Sequence, residues 1–198
     1  MQAADLRRIS GRYLFLAAAA VLTLLILYKI IDIKIYSPRF KVKVLKQRGR
    51  IQNLYTPRNI KNSRTFYVDY IDFEQGRSLR HPSAGEFPLQ QYFFMDISGT
   101  FTVKQKGNYT FTIGSDDGFA LFIDRREVCK FTNGRPFARN NGSLYLNEGE
   151  HRLRLNYFQA YGPLGLTGKY KLNLGEHRDE SYFLGENSDF IEFHEFNE

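Results

Sequence analysis

The chain has 198 residues, 42% of them hydrophobic and 16% aromatic, which gives room for one ordinary domain with a packed core and excludes a wholly disordered protein. Its single cysteine, Cys129, excludes an intramolecular disulfide, so the fold must hold by packing and strand pairing. The net charge of +7 divides into +9 over residues 1–50, +5 over 51–175 and −7 over 176–198; the basic residues surround a hydrophobic segment without an interleaved RNA or DNA motif, which points to anionic lipid rather than nucleic acid.

Residues 1–12 form a short basic leader. Residues 13–28 follow without a charge, Lys29 interrupts, and Ile30 and Ile31 continue, so the apolar run over 13–31 approaches the roughly 20 residues that cross a bilayer. It predicts a single N-terminal transmembrane helix, with Tyr13 and Tyr28 at the two interfaces and the Lys29 stem carrying its charge to the headgroups. Ala17–Ala20 resembles a signal-peptide cleavage region, but the leucines and isoleucines that follow are in the wrong order for one. Arg7, Arg8 and Arg12 precede the span while more basic residues follow it, so a plain charge count places the C-terminal side in the cytoplasm.

Beyond the span, residues 32–63 read as a basic juxtamembrane stalk with extended segments at 32–36 and 40–45 and a polar loop from Gln47. Residues 65–73 alternate as a strand does, residues 74–88 form a Gly- and Pro-containing loop, and residues 93–97 and 100–103 lead into a hairpin built from 107–113 and 118–124. A long strand at 151–158 and another at 169–174 complete a domain over 64–175. Many short strands separated by turn signals predict an antiparallel β-sandwich, all-β apart from the anchor. The tail, residues 176–198, combines eight acids with Tyr182, Phe183, Phe190, Phe193 and Phe196. It either docks on its own domain or offers an acidic-aromatic segment to a partner.

The hairpin connection holds Gly114, Ser115, Asp116, Asp117 and Gly118. Adjacent Asp side chains on an extended backbone point apart, so both face one partner only if the glycines let the chain turn sharply. Two carboxylates held together repel, and a hard cation relieves that repulsion.

Gly107-x-Tyr-Thr-Phe-Thr-x-x-Ser-Asp-Asp-Gly-x-x-Leu-x-Ile-Asp124, followed by Val128, an Asn/Gly-rich segment and the run from Leu146 to Phe158, resembles the PA-fourteen domain, a β-sandwich named after the N-terminal fragment of anthrax protective antigen. The resemblance is specific from Gly99 to about Leu174. It implies a carbohydrate-binding module of the kind found in flocculins, glycosidase inserts and bacterial surface proteins. It also implies an extracytoplasmic domain, with the N-terminus inside.

In lectin-like members of that family the paired Asp and an Asn from a later loop hold calcium, which orders sugar hydroxyls. Asp116 and Asp117 match the pair, and Asn133, Asn140 and Asn141 are the candidate asparagines by position. Calcium takes six to eight oxygens, so backbone carbonyls and water would complete the shell. Alternatively, the carboxylates accept loop amide hydrogen bonds and only fix the turn. Phe119, Phe137 and Tyr161 are candidates for stacking on a sugar ring, set against core packing. Where the family often has Ile-Asp-Gly, this chain has Ile123-Asp124-Arg125-Arg126, which predicts a different or longer turn.

Catalysis finds little support, because His81, His151, His177 and His194 lie in no metal-ligand spacing and adjacent carboxylates cannot flank a glycosidic bond. Two readings follow. One is a membrane-anchored glycan-binding module; the other is a non-catalytic accessory subunit of a larger membrane complex, held by its helix, sandwich and tail.

Overall fold

A computed structural model of the chain describes residues 13–28, 37–175 and 180–196. The chain divides into two units, residues 1–36 and residues 37–198. In the first, residues 13–28 are α-helical, and the side chains of Leu14, Phe15, Leu16, Leu22 and Leu24 are exposed. Among the described residues no helix is long and apolar enough to cross a membrane. Lys29, Ile30 and Ile31, which the sequence reading adds to the span, lie outside the described residues.

The second unit contains β1 (Phe40–Gln47), β2 (Ile60–Val68), β3 (Asp72–Gly76), β4 (Leu79–His81), β5 (Gly85–Phe87), β6 (Phe93–Val103), β7 (Gly107–Asp116), β8 (Gly118–Ile123), β9 (Arg126–Phe131), β10 (Ala138–Leu146), β11 (Gly149–Gln159), β12 (Leu164–Leu172), β13 (Tyr182–Phe183) and β14 (Ile191–Phe193). The larger sheet runs β2-β1-β6-β11-β8-β9, with β14 also on β6; the smaller runs β10-β7-β12-β13, with β3 also on β12. Every pairing is antiparallel. The period-2 pattern sets the faces: Phe40, Val42 and Val44 of β1 point into the sandwich, while Lys41 and Lys43 point out.

The core between the sheets is aromatic, with Phe40, Phe73, Phe93, Phe101, Tyr109, Tyr157 and Tyr170 buried. Each buried tyrosine hydroxyl finds an acceptor, as burial requires: Tyr109 donates to the Gln105 carbonyl at 2.6 Å and Tyr170 to the Glu186 carbonyl at 2.8 Å. A second cluster lies on the outer face of the larger sheet, where Ile51 and Leu54 from the β1–β2 connection cover Leu45, Phe94 and Phe158.

The structure differs from the sequence reading in two places. The stretch expected as a stalk supplies β1 and β2, because its alternating apolar residues have the β6 edge to pair with. The segments expected as one hairpin, β7 and β8, sit in different sheets. The chain crosses from one sheet to the other at Asp116–Asp117.

The tail, for which the sequence left two destinations open, docks on its own domain. β13 pairs with β12 at Lys169 and Tyr170, and β14 pairs with β6 at Phe101–Val103, continuing the edge that β1 covers from Phe93 to Ser98. Phe193 is buried against the rings of Phe40, Phe101 and Tyr170, and Phe190 packs on the same core. Tyr182 stacks on Tyr170, Phe183 lies beside Tyr70, and Phe196 lies beside Tyr67. The five aromatics that were candidates for partner binding are thus engaged within the domain, because edge backbone and core on both sheets are there to receive them.

Phe193→Ala should therefore lower stability by about 3–5 kcal/mol, the usual cost of emptying a buried Phe site. Removal of residues 182–198 should prevent cooperative unfolding altogether; chemical denaturation of the full chain and of both variants measures this.

Candidate functional site

The crossing between the sheets is built from β7 ending at Asp116 and β8 beginning at Gly118, with a cis peptide bond between Asp116 and Asp117. Neither Gly114 nor Gly118 has a positive φ, so their role is close approach rather than a sharp turn. A Cβ at Gly114 would meet the Phe137 ring and Thr167 Oγ1 at 2.6 Å, and one at Gly118 would meet Phe158 at 2.5 Å.

Both carboxylates are buried, Asp116 at 7% and Asp117 at 6% exposure, which removes them from bulk water and makes their partners decisive. Asp117 Oδ1 accepts the Arg135 backbone N–H at 3.1 Å and Oδ2 accepts that of Ala160 at 2.7 Å. The Asp116 carboxylate accepts the Phe137 backbone N–H. Ser115 Oγ donates to the Asp117 carbonyl at 2.7 Å, and the Tyr157 hydroxyl donates to the Asp116 carbonyl. The pair thereby ties the loop after β9 and the loop after β11 to one corner.

Burial, and then the charge of Asp117, pushes the Asp116 pKa up to about 6, against the Phe137 N–H and the Arg135 charge. Burial also raises Asp117, opposed by the Ala160 and Arg135 amides. Arg135 is the functional residue that sequence reasoning missed. Its guanidinium donates to Asn140 Oδ1 at 2.5 Å and to Ser115 Oγ and the Ala138 carbonyl at 3.1 Å, and lies 4.1 Å from the Phe131 ring centroid. Its Nε is buried without a hydrogen-bond partner. The available signal was a lone cation in an Asn/Gly/Pro-rich loop of a chain that must neutralise two adjacent carboxylates.

Of the three asparagines, Asn140 reaches this cluster through Arg135. Asn133 borders it through its carbonyl near Gly118, its own position bridging to Asn53. Asn141 is exposed and, by strand alternation, points to the face of β10 opposite Asn140 and the buried Leu144. Phe119 is fully buried in the core and presents no face to a sugar. Phe137 covers Gly114 and Gly165, with the Arg139 guanidinium 5.7 Å from its ring centroid. Tyr161 is 72% exposed beside Ala160 and lines a cleft of about 470 Å³ with Arg50, Ile51, Gln52 and Tyr92.

Among the described residues no group of three or more His, Cys, Asp or Glu side chains gathers to hold a metal ion. A cation at the corner would draw on the two carboxylates, whose oxygens keep lone pairs beyond the amides they accept, on Asn140 and on backbone carbonyls. The turn expected to be different or longer for want of Gly is not longer but a two-residue hairpin: Asp124 and Arg125 take φ of 50° and 69° between β8 and β9, as a type I′ turn requires. The Asp124 carboxylate steadies it by accepting the Arg152 N–H at 2.9 Å and facing His151 Nδ1 at 2.6 Å.

The PA14 domain family matches residues 81–182, just over half of the chain. Among solved structures, the PA14 domain of the antifreeze protein MpAFP superposes with a TM-score of 0.59 at 14% identity, covering 74% of this chain and 86% of that one. The PA14 sugar-binding domain of an RTX adhesin gives 0.55 at 15%, covering 75% and 96%. The Epithelial Adhesin 9 A domain of Candida glabrata, in complex with Galβ1-3GlcNAc, gives 0.58 at 13%, covering 82% and 92%. At such identities these likenesses show a shared fold. No curated protein matches the chain significantly.

The perturbed carboxylate gives a signed prediction. Asp116 titrates near 6 when folded against an ordinary value of 3.8, so the folded state keeps a proton that the unfolded state releases between those values. This group therefore makes stability fall as pH rises from about 4 to about 6. Asp116→Asn, which retains an oxygen for the Phe137 amide, should gain about 1–3 kcal/mol on the wild type across that window in the presence of chelator. Urea denaturation at pH 4 and pH 7 measures the difference; an unchanged difference would show that Asp116 is not perturbed by its burial.

Proposed function

Since this chain belongs to the PA14 domain family, we propose that it is a non-catalytic, lectin-like module that binds carbohydrate at the cell envelope. The observation that carries this reading is the buried Asp116–Asp117 corner, which fixes two loops beside the exposed ring of Tyr161. A rigid polar corner next to an exposed aromatic suits a sugar, which offers hydroxyls on its rim and an apolar ring face. The RTX adhesin domain, described as sugar-binding, and the Candida glabrata adhesin domain, crystallised with a galactoside, support it. Adjacent carboxylates on one corner do not make a glycosidase, whose acid and nucleophile stand about 5 Å or more apart across the bond.

Calcium is the cation of this reading: Asp116, Asp117, Asn140 and backbone oxygens would hold it, Arg135 would have to yield Asn140, and the cation would supply a Lewis-acid contact for sugar hydroxyls. Its affinity rises with pH through about 6, because Asp116 must lose its proton to ligate.

The helix over residues 13–28 is, in the same reading, the core of a single membrane anchor, since uncharged apolar side chains exposed around a helix call for lipid. The domain then lies outside the cytoplasm with the leader inside. Within the domain, the chain enters at residue 37 beside Thr100 of β6, whereas the Asp corner lies at the Phe93 end of that strand, about 23 Å away at strand rise. The Asp corner and residue 37 thus lie toward opposite ends of the sandwich. The accessory-subunit alternative counted the acidic-aromatic tail, with the helix and the sandwich, among the elements that hold a complex, and that tail is engaged in the domain.

A glycan array probed with the full chain should give signal with millimolar calcium and lose it with chelator, and Asp116→Asn with Asp117→Asn should be silent in both. Calcium at a hundredfold over its Kd should stabilise the wild type by about 2.7 kcal/mol and the double variant not at all. Signal that survives chelation would assign the corner's charge balance to Arg135 instead of calcium. Protease added to intact spheroplasts should remove the domain; resistance until permeabilisation would reverse the topology.

A further inference from the structure

The outer face of the larger sheet has two unlike halves. Its Phe93 end is closed by the β1–β2 connection over Phe94 and Phe158. Its other half is basic, bordered by the tail, whose His194 meets Thr100 and Thr102 and whose Phe196 ring lies 5.6 Å from the Lys41 ammonium. Arg154 of β11 stands across from Phe122 of β8 on one side and Ser98 of β6 on the other, and Ser98 stands across from Lys41 of β1. Arg152 follows two residues along β11 on the same face, Lys43 two residues along β1, and Arg125 overhangs from the β8–β9 turn. At strand spacing the four strand cations spread over about 10 Å across β1, β6 and β11 and about 13 Å along them, with Arg125 beyond them at the end of β8.

The carboxylates on that face are already engaged. Asp96 takes the Arg58 guanidinium at 2.5 and 2.8 Å and the Asn156 amide at 2.7 Å. Asp124 takes the Arg152 backbone N–H and His151, Glu127 takes Lys130 at 3.0 Å, and Glu150 faces His194 at 3.6 Å. None of the carboxylates of the described residues forms an ion pair with Lys41, Lys43, Arg125, Arg152 or Arg154. Among Phe122, Asp124, Arg125, Arg152, Leu153 and Arg154 the surface sinks into a cleft of about 450 Å³, within the size range of ligand clefts, with the Asp124 carboxylate held by the Arg152 N–H and His151.

We propose that this basic face is a second binding surface, distinct from the Asp corner, and that it takes an anionic polysaccharide through its carboxylate or sulfate groups. Guanidinium forks match such planar or trigonal oxyanions, and a row of cations across three strands suits a chain carrying repeated charge better than a single small ion. Other polyanions fit poorly. Single-stranded nucleic acid needs aromatic platforms, and Phe122, the ring in the cleft, already has the Arg154 guanidinium 4.6 Å from its centroid. A broad sheet face cannot enter the major groove of duplex DNA. A lipid surface is gripped by inserted apolar side chains, and the exposed large hydrophobics of the described domain, Tyr55, Tyr145, Tyr161 and Leu174, are not among the residues of this patch.

The test titrates the full chain, in mild detergent, with heparin and with polygalacturonate, using dextran as the neutral polymer. Both polyanions should bind, dextran should not, and affinity should fall steeply with salt. Arg152→Gln with Arg154→Gln, and separately Lys41→Gln with Lys43→Gln, should each weaken binding at least about tenfold and lower the slope of log K against log salt by roughly one to two. Arg77→Gln with Lys106→Gln removes the same charge elsewhere and should bind as the wild type does; thermal unfolding followed by circular dichroism verifies that each variant is folded. Equal binding by all three variants, equal binding of dextran, or binding of phosphatidylglycerol vesicles or oligo-dT in place of the polysaccharides would each overturn the assignment.

Discussion

Two carboxylates buried side by side are the constraint around which this domain is arranged. In water each would be solvated and mutually screened; at the crossing between the sheets each needs hydrogen bonds from the protein, and their repulsion needs a nearby positive charge. The chain meets that need with amides from two distant loops. Ala160 and Arg135 donate to Asp117, Phe137 donates to Asp116, and the Arg135 guanidinium supplies the charge. Loops that would otherwise be free to move are thereby fixed at the end of the sandwich, which is the property a recognition surface requires. Three glycines leave the room: at 114 and 165 for the Phe137 ring and at 118 for Phe158.

At the other end the sandwich is closed by the tail. One short strand goes to each sheet, β13 to β12 and β14 to β6, with Leu184, Ile191 and Phe193 buried between them. The two sheets are thus spanned by the tail at one end and by the Asp cluster at the other. The Phe196 N–H donates to the Pro38 carbonyl at 2.6 Å, so the tail also holds the residues that lead into β1. The acidic tail therefore belongs to the architecture, with its charges, such as Glu192 against Lys104 at 2.7 Å, on the solvent side of buried aromatics.

The charge asymmetry takes a different meaning in three dimensions from the one it has along the chain. Lys41 and Lys43 follow the apolar helix closely in sequence and suggest a lipid-facing stalk; in the fold they join Arg152 and Arg154 on one face of the larger sheet. What was a basic segment becomes a basic surface, because strand alternation sorts neighbouring residues onto opposite faces and pairing gathers distant ones.

The sequence by itself determined the all-β class and most strand positions, since alternation and turn residues are local signals that survive in any surroundings. It also located the Asp116–Asp117 pair and the family, because the motif from Gly107 to Asp124 is contiguous. Tertiary structure decided what contiguity cannot encode. Whether residues 40–47 stand free or pair depends on the edge of β6, about fifty residues downstream. Whether β7 and β8 form a hairpin depends on which sheet can bury each of them. Arg135, Asn140 and Ala160 join the Asp corner, while Phe119 and Asn141 leave it, because each strand's phase against its partners sets the direction of every side chain, and that phase is fixed only when the sheets close.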